Sequence, residues 1–174
     1  FLKDILKRTE VLNPAALLEM LRKNMKSLFF NADTSISTNG FDMGLVCINT
    51  KNNILYFSGA LIPLYIIRNG EVLKYNPGRS PIGNYFIEEN FFNHEIELQN
   101  NDNLYMFSDG FPDQFGGKNN SKYTRRRFLK FLKSISENNM MQQNEILVNE
   151  FEEWIGDEEQ TDDVTVFGKK WISL

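Results

Sequence analysis

Leu104-Tyr105-Met106-Phe107-Ser108-Asp109-Gly110-Phe111-Pro112-Asp113-Gln114-Phe115-Gly116-Gly117 is the stretch on which the reading of this chain turns. The apolar run 104–107 leads straight into an acidic residue and a glycine, the pattern of a buried strand that ends at a sheet edge. A second acidic site, Gln160-Thr161-Asp162-Asp163-Val164-Thr165-Val166, stands directly before a last apolar run, Val164–Trp171. If the two runs pair antiparallel, the end of one lies beside the start of the other. Asp109 and Asp162 then come to one edge of a sheet. Carboxylates so placed repel each other, and a hard divalent cation such as Mg²⁺ or Mn²⁺ relieves the repulsion through oxygen ligands. Singly, Asp-Gly after a strand is an ordinary turn and Asp-Asp an ordinary flank. Their pairing is what points to a metal.

Upstream of this stretch the period is that of strands. Met43–Ile48, Ile54–Phe57, Leu64–Ile67 and Glu71–Tyr75 are short and rich in branched and aromatic residues. Lys51-Asn52-Asn53 separates the first two, and Asn69-Gly70 separates the last two. Asn-Gly is the strongest short hairpin signal, because both turn residues need positive φ. A loop over 76–85 carries Pro77, Gly78, Pro81 and Gly83, and a strand over Phe92–Leu98 follows. Asn100-Asn101-Asp102 reads as the turn into Asn103–Ser108.

Helices flank the strands on both sides. Asn13-Pro14 is a helix start, followed by Leu18, Leu21, Met25, Leu28 and Phe29 at helical spacing. Residues 31–40 are polar and turn-rich. Downstream, Phe128, Phe131, Leu132 and Ile135 mark one amphipathic helix, and Leu147, Phe151 and Trp154 another that ends at Gly156. Leu2, Ile5 and Leu6 have helical spacing with no capping residue before them, so they read as the tail of a helix entered midway.

The composition sets bounds. The 174 residues suffice for one domain with a core; 41% are hydrophobic and 24% charged, as in ordinary globular proteins. A formal charge of −4 argues against a nucleic-acid partner. No apolar run reaches membrane-spanning length. The single cysteine, Cys47, cannot form an internal disulfide, which suits the cytoplasm, and it reads as a small buried filler.

The stretch 104–117 resembles the SpoIIE-like branch of the metal-dependent (PPM, type 2C) serine/threonine phosphatases, in which an apolar strand runs into Ser/Thr-Asp-Gly followed by an acidic residue and Phe-Gly. Gln160 to Val166 is similar to that family's closing Asp-Asp-x-Thr motif. Leu55-Tyr56-Phe57-Ser58-Gly59-Ala60 with Pro63-Leu64-Tyr65, and Pro81-Ile82-Gly83, resemble two further segments in the same order. The resemblance covers nearly everything from Asn13 onward. It implies an α+β fold, an antiparallel β-sandwich flanked by helices in α-β-β-α layers. Residues 1–174 would be a single domain, the C-terminal part of a phosphatase domain that is incomplete at its N-terminus. It also implies two Mn²⁺ or Mg²⁺ ions per complete site. These would activate a water for in-line attack on phosphoserine or phosphothreonine, with Asp109 and Asp162 as metal-ligating catalytic residues. Asp163 is then a neighbour, and Asp113 at most supports the ligands from behind.

Two departures accompany the resemblance. The family's bridging ligand lies in an Asp-Gly-His/Met-Gly motif, which occurs nowhere in these residues and is expected just upstream of Phe1. Where eukaryotic-type relatives carry an aspartate after a glycine, this chain has Gly59-Ala60. Half a site predicts a chain that is inactive by itself. The implied setting is a cytoplasmic bacterial signalling protein with an upstream sensor or regulatory domain. Its substrate would be a phosphoprotein such as a phosphorylated anti-sigma factor antagonist. The apolar start of the chain predicts a homodimer. The rival is a phosphatase-like module without catalysis that serves as a regulatory or protein-binding surface. Three further features take bland readings: His94 as a half-buried satisfied imidazole in register with Phe92, Ile96 and Leu98, Arg125–Arg127 as a solvated helix face, and Arg79 as a loop residue within reach of a phosphate only if the fold brings it there.

Overall fold

The computed structural model describes residues 13–30, 40–83 and 89–173. The described residues fall into two compact units, those within 13–64 together with those within 75–98, and 65–74 together with 99–173. Among the described residues, no helix is long and apolar enough to cross a membrane. The readings of Leu2, Ile5 and Leu6, and of the loop 31–39, lie outside the described residues.

In the first unit, helix α1 (Pro14–Phe30) starts where the Asn-Pro pair places it. Asn13 caps it, its side-chain Oδ1 accepting from the Ala16 amide at 3.0 Å and its carbonyl from the Leu17 amide at 3.2 Å. β1 (Gly40–Phe41) pairs with β6 (Ile82–Gly83). β2 (Met43–Asn49), β3 (Ile54–Ala60) and β7 (His94–Glu97) form an antiparallel sheet in the order β2-β3-β7. Ala15 and Leu18 of α1 pack with Ala60, Ile82 and Phe91. Each large apolar side chain fully removed from water in this way stabilises by roughly 2 kcal/mol.

The strand expected over Phe92–Leu98 begins later, and its inward parity does not reach Phe92, which is exposed at 48%. Phe91 is buried instead, because helix α1 packs on it. Its amide donates to Glu19 Oε1 at 2.8 Å, and the Arg22 guanidinium lies 3.9 Å from its ring centroid. Helix α1 thus fixes this residue before the strand begins. Cys47 is half-buried rather than enclosed, since β2 is an edge strand, and burial pushes its thiol up.

In the second unit, β4 (Leu64–Arg68), β5 (Glu71–Tyr75), β8 (Asn103–Phe107) and β11 (Val166–Lys170) form a sheet in the order β11-β8-β4-β5. Asn69 and Gly70 both take positive φ, 49° and 73°, as the hairpin reading requires. Two helices pack on this sheet: α3 (Arg125–Ile135) and α4 (Met140–Ile155), which follow α2 (Gly110–Asp113) and the small hairpin β9 (Phe115–Gly116)–β10 (Ser121–Lys122). Their core is aromatic. Tyr65, Phe107, Phe111, Tyr123 and Phe128 are buried together with Leu132 and Ile135, and Phe111 and Phe128 lie 4.4 Å apart.

Several buried polar groups inside this unit are matched, whereas the buried Trp171 indole N–H has no hydrogen-bond partner among the described residues. Asn139 and Gln142 form a reciprocal capping box at the start of α4, and Gly156 ends it with φ +55°. Buried Gln143 accepts from the Tyr105 hydroxyl and donates to the Asn138 carbonyl at 2.9 Å. Asp102, expected to be a mere turn residue, is 1% exposed and holds Arg68 in a two-pronged ion pair of 2.8 and 2.7 Å.

Candidate metal centre

The decisive pairing is β8 with β11. They run antiparallel with Val166 opposite Phe107, Gly168 opposite Tyr105 and Lys170 opposite Asn103. Asp109 follows the end of β8 and Asp162 precedes the start of β11, so both segments leave the sheet at the same end. The antiparallel pairing expected of the two apolar runs is present.

Three devices tie the segments together. Ser108 is the first: its amide donates to the Thr165 carbonyl at 3.0 Å, and its hydroxyl donates to the Asp163 carbonyl and accepts from the Thr165 amide, both at 3.0 Å. Gly110 is the second. A Cβ on it would overlap the Asp163 carbonyl and stand 3.2 Å from Val164 Cγ2. The glycine of Ser-Asp-Gly is therefore needed for the close crossing of the closing segment, and it does not adopt a positive φ.

Gln114 is the third device, and sequence reasoning missed it. It is fully buried, its Nε2 donating to the Glu159 carbonyl at 2.9 Å and the Phe115 carbonyl at 3.0 Å. Its Oε1 accepts from the Thr161 amide at 3.2 Å. The signal lay in the next residues. The Gly117 amide donates to the Trp154 carbonyl at 2.8 Å, and Cβ atoms on Gly116 or Gly117 would strike Trp154. The Trp154 indole in turn donates to the Gln114 carbonyl at 3.1 Å. A Gly-Gly pair that seats a tryptophan marks a packed corner rather than a free loop.

The strand ends not in a simple turn but in the single-turn helix α2, with Asp109 at its N-cap. The Asp109 carbonyl accepts from the Asp113 amide at 2.8 Å, and the Asp109 carboxylate makes no capping bond and is exposed. Asp162 is also exposed; its Oδ1 accepts from the Asp163 amide at 2.7 Å, and its carbonyl from Gln160 Nε2 at 2.7 Å. Asp113 pairs with Lys122 at 3.1 Å. As donors, two solvent-facing carboxylates at one sheet end suit a hard cation. The fit is partial, because among the described residues no group of three or more His, Cys, Asp and Glu side chains could hold a metal.

The other candidates resolve individually. Ala60 is fully buried in the first unit and takes a packing role. His94 is satisfied, with Nε2 2.8 Å from the Asn76 carbonyl and its ring stacked on Phe57. Arg79 is an exposed residue of the first unit. Arg125, Arg126 and Arg127 are exposed, as the solvated-face reading has it, and the Arg127 guanidinium also lies 4.1 Å from the Trp154 ring and 4.5 Å from the Tyr123 ring.

This is the fold of the PP2C-type (PPM) phosphatase domains. The SiaA-PP2C domain of Pseudomonas aeruginosa matches with a TM-score of 0.81 at 30% identity, over 91% of this chain and 61% of that one. The RsbU and RsbW domains of Rv1364c from Mycobacterium tuberculosis match at TM-score 0.60 and 13% identity, over 92% of this chain and 48% of theirs. The phosphatase domain of the cell fate determinant SpoIIE from Bacillus subtilis matches at 0.54 and 18%, over 94% and 75%. The last two likenesses concern the fold alone. By sequence, the chain belongs to the SpoIIE family: the model of Stage II sporulation protein E (SpoIIE) matches residues 4–171, across both units. No curated protein matches the chain. The chain thus spans 61% of the SiaA-PP2C domain.

Proposed function

We propose that these residues form the metal-binding half of a protein phosphatase site, in which Asp109 and Asp162 hold a divalent cation, Mn²⁺ or Mg²⁺. The observation that carries the reading is the β8–β11 register with its Ser108 bonds and Gly110 crossing, which brings both acidic segments to one end of one sheet. The roles of the chain's own residues follow from it. Ser108 and Gln114 hold the closing segment, Asp109 offers a carboxylate that caps nothing, and the Asp163 amide orients the Asp162 carboxylate. A cation bound there supplies Lewis acidity and an activated water for hydrolysis of a phosphate ester.

The substrate class we infer is a phosphoserine or phosphothreonine protein, and the free Cys47 thiol suits the reducing cytoplasm, where we place the reaction. We expect these 174 residues alone to turn over little substrate, a reading supported by a sequence without an Asp-Gly-His-Gly motif and by the lack of a third ligand among the described residues.

The test has two readouts. In calorimetry, Mn²⁺ binds the chain weakly, and Asp109→Asn or Asp162→Asn abolishes the binding; unchanged binding in both variants removes these carboxylates from the site. In phosphate release from a phosphoserine peptide, the protein as its gene encodes it shows Mn²⁺-dependent turnover that Asp109→Asn removes. A protein that binds Mn²⁺ yet releases no phosphate from any phosphoprotein favours the catalytically silent module.

A further inference from the structure

Helix α3 carries Arg125, Arg126, Arg127, Lys130 and Lys133 and no acidic residue. Phe128, Leu132 and Ile135 take its buried side. At helical spacing, Arg126, Arg127, Lys130 and Lys133 then line up on the exposed side, and each of them is exposed. This arrangement opposes helix physics twice. The three arginines stand in the first turn, where unsatisfied N–H groups favour anions and disfavour cations. Arg126 and Lys130 are also i,i+4 neighbours, and Lys130 and Lys133 i,i+3 neighbours, spacings at which like charges destabilise. Among the described residues, the stripe's one carboxylate contact is Arg127 with Glu150, at 3.5 Å. A local conflict kept on an exposed face points to a use for that face.

Beside the stripe lies an open cleft of about 730 Å³, lined by Tyr123, Phe131 and Ser134 together with Arg127, Lys130 and Glu150. The half-buried Phe131 gives it an aromatic wall that suits an apolar side chain, and its rim is cationic. We propose that this surface docks an acidic segment of a protein partner, with an apolar residue of that segment seated in the cleft. The proposal stands apart from the metal site.

Three features select a protein segment over other polyanions. The stripe occupies one helix of 11 residues, roughly 16 Å long, which matches a short segment rather than a nucleic-acid backbone. The helix that supplies Glu150 runs on into residues 152–163, which hold seven acidic residues, and that field repels an extended polyanion. Outside its buried side α3 carries only Leu129 and Phe131 as apolar residues, both half-buried, which is less apolar surface than a membrane-surface helix inserts.

The test is fluorescence anisotropy of the protein with a short fluorescein-labelled peptide of alternating glutamate and phenylalanine. We expect binding that weakens steeply with salt and falls at least about tenfold in Lys130→Glu/Lys133→Glu, the loss expected when charge complementarity is reversed. Lys51→Glu, in the exposed β2–β3 turn, should leave it unchanged. Thermal melting separates lost binding from lost fold: reversing these charges relieves repulsion, so the double variant should melt no lower than the parent. If it does melt lower, Arg126→Gln gives the same test with less change. The proposal is overturned if the parent does not bind the peptide, if the stripe variants bind it equally well, or if a glutamine-for-glutamate peptide binds as tightly. Tighter binding to a single-stranded oligonucleotide or to phosphatidylserine vesicles, or a dimer that the double variant dissolves, would overturn it as well.

Discussion

Replacing Gln114 by Met tests whether the closing segment is held from inside the second unit. Methionine keeps nearly the same volume, so no cavity forms and the loss is that of the polar contacts. Three hydrogen bonds go: to the Glu159 carbonyl, to the Phe115 carbonyl and from the Thr161 amide. At about 0.5–1.5 kcal/mol net each, the sum is roughly 2–4 kcal/mol. Glu159 and Thr161 are exposed, so their freed backbone groups can turn to water, which places the loss near the low end, about 2 kcal/mol. For a chain of this length that corresponds to a fall in Tm of roughly 4–8 °C. Urea denaturation measures the energy, and hydrogen exchange at Thr161 and Thr165 locates it. Mn²⁺ titration reads the consequence for the site, a several-fold weaker affinity because Asp162 is no longer held. An unchanged urea midpoint together with unchanged protection would refute the reasoning. A destabilised protein with unaltered Mn²⁺ affinity would show that Ser108 alone sets the position of the closing segment.

Other perturbations give equally specific outcomes. Asp102→Asn should destabilise by about 3 kcal/mol in urea titration, since it removes the charge that a two-pronged Arg68 contact faces from a buried position; a change below about 0.5 kcal/mol would mean the pair contributes nothing. Gly110→Ala should cost about 1–3 kcal/mol through overlap with the Asp163 carbonyl, and a crystal structure should show the closing segment displaced. Burial raises the phenols of Tyr105 and Tyr123 well above their ordinary 10.0, and for Tyr123 the Glu150 carboxylate adds to the rise. A group whose folded pKa is raised gives stability that is intact below its unfolded pKa and lost above it, so Tm should hold to about pH 10 and then fall. Tm measured alongside phenolate absorbance checks this, with Tyr105→Phe predicted to flatten the alkaline fall.

What was legible in the sequence was what repeats at short range. The Asn69-Gly70 hairpin, the Asn13 cap, the apolar faces of α3 and α4 and the Gly156 stop are each encoded within a few residues, and each is found. Strand ends were less legible, because Phe91 is set by Glu19 and Arg22 of a distant helix, which no alternation around residue 92 could report. The same limit applies at the site. That the segments bearing Asp109 and Asp162 leave one end of a sheet follows from two apolar runs and an antiparallel pairing. The groups that hold them do not follow, because the partners of Gln114 and Asp102 lie 47 and 34 residues away and polar contacts at such separations leave no period. Gly110 shows the difference most clearly. As a letter after aspartate it reads as a turn glycine, a role that needs positive φ. In the fold its φ is not positive, and what it provides is the absence of a side chain where the Asp163 backbone crosses. The Asp-Gly pair is therefore better understood as half of a contact whose other half is the Asp-Asp of the closing segment. A change that separates the two segments removes the reason for both.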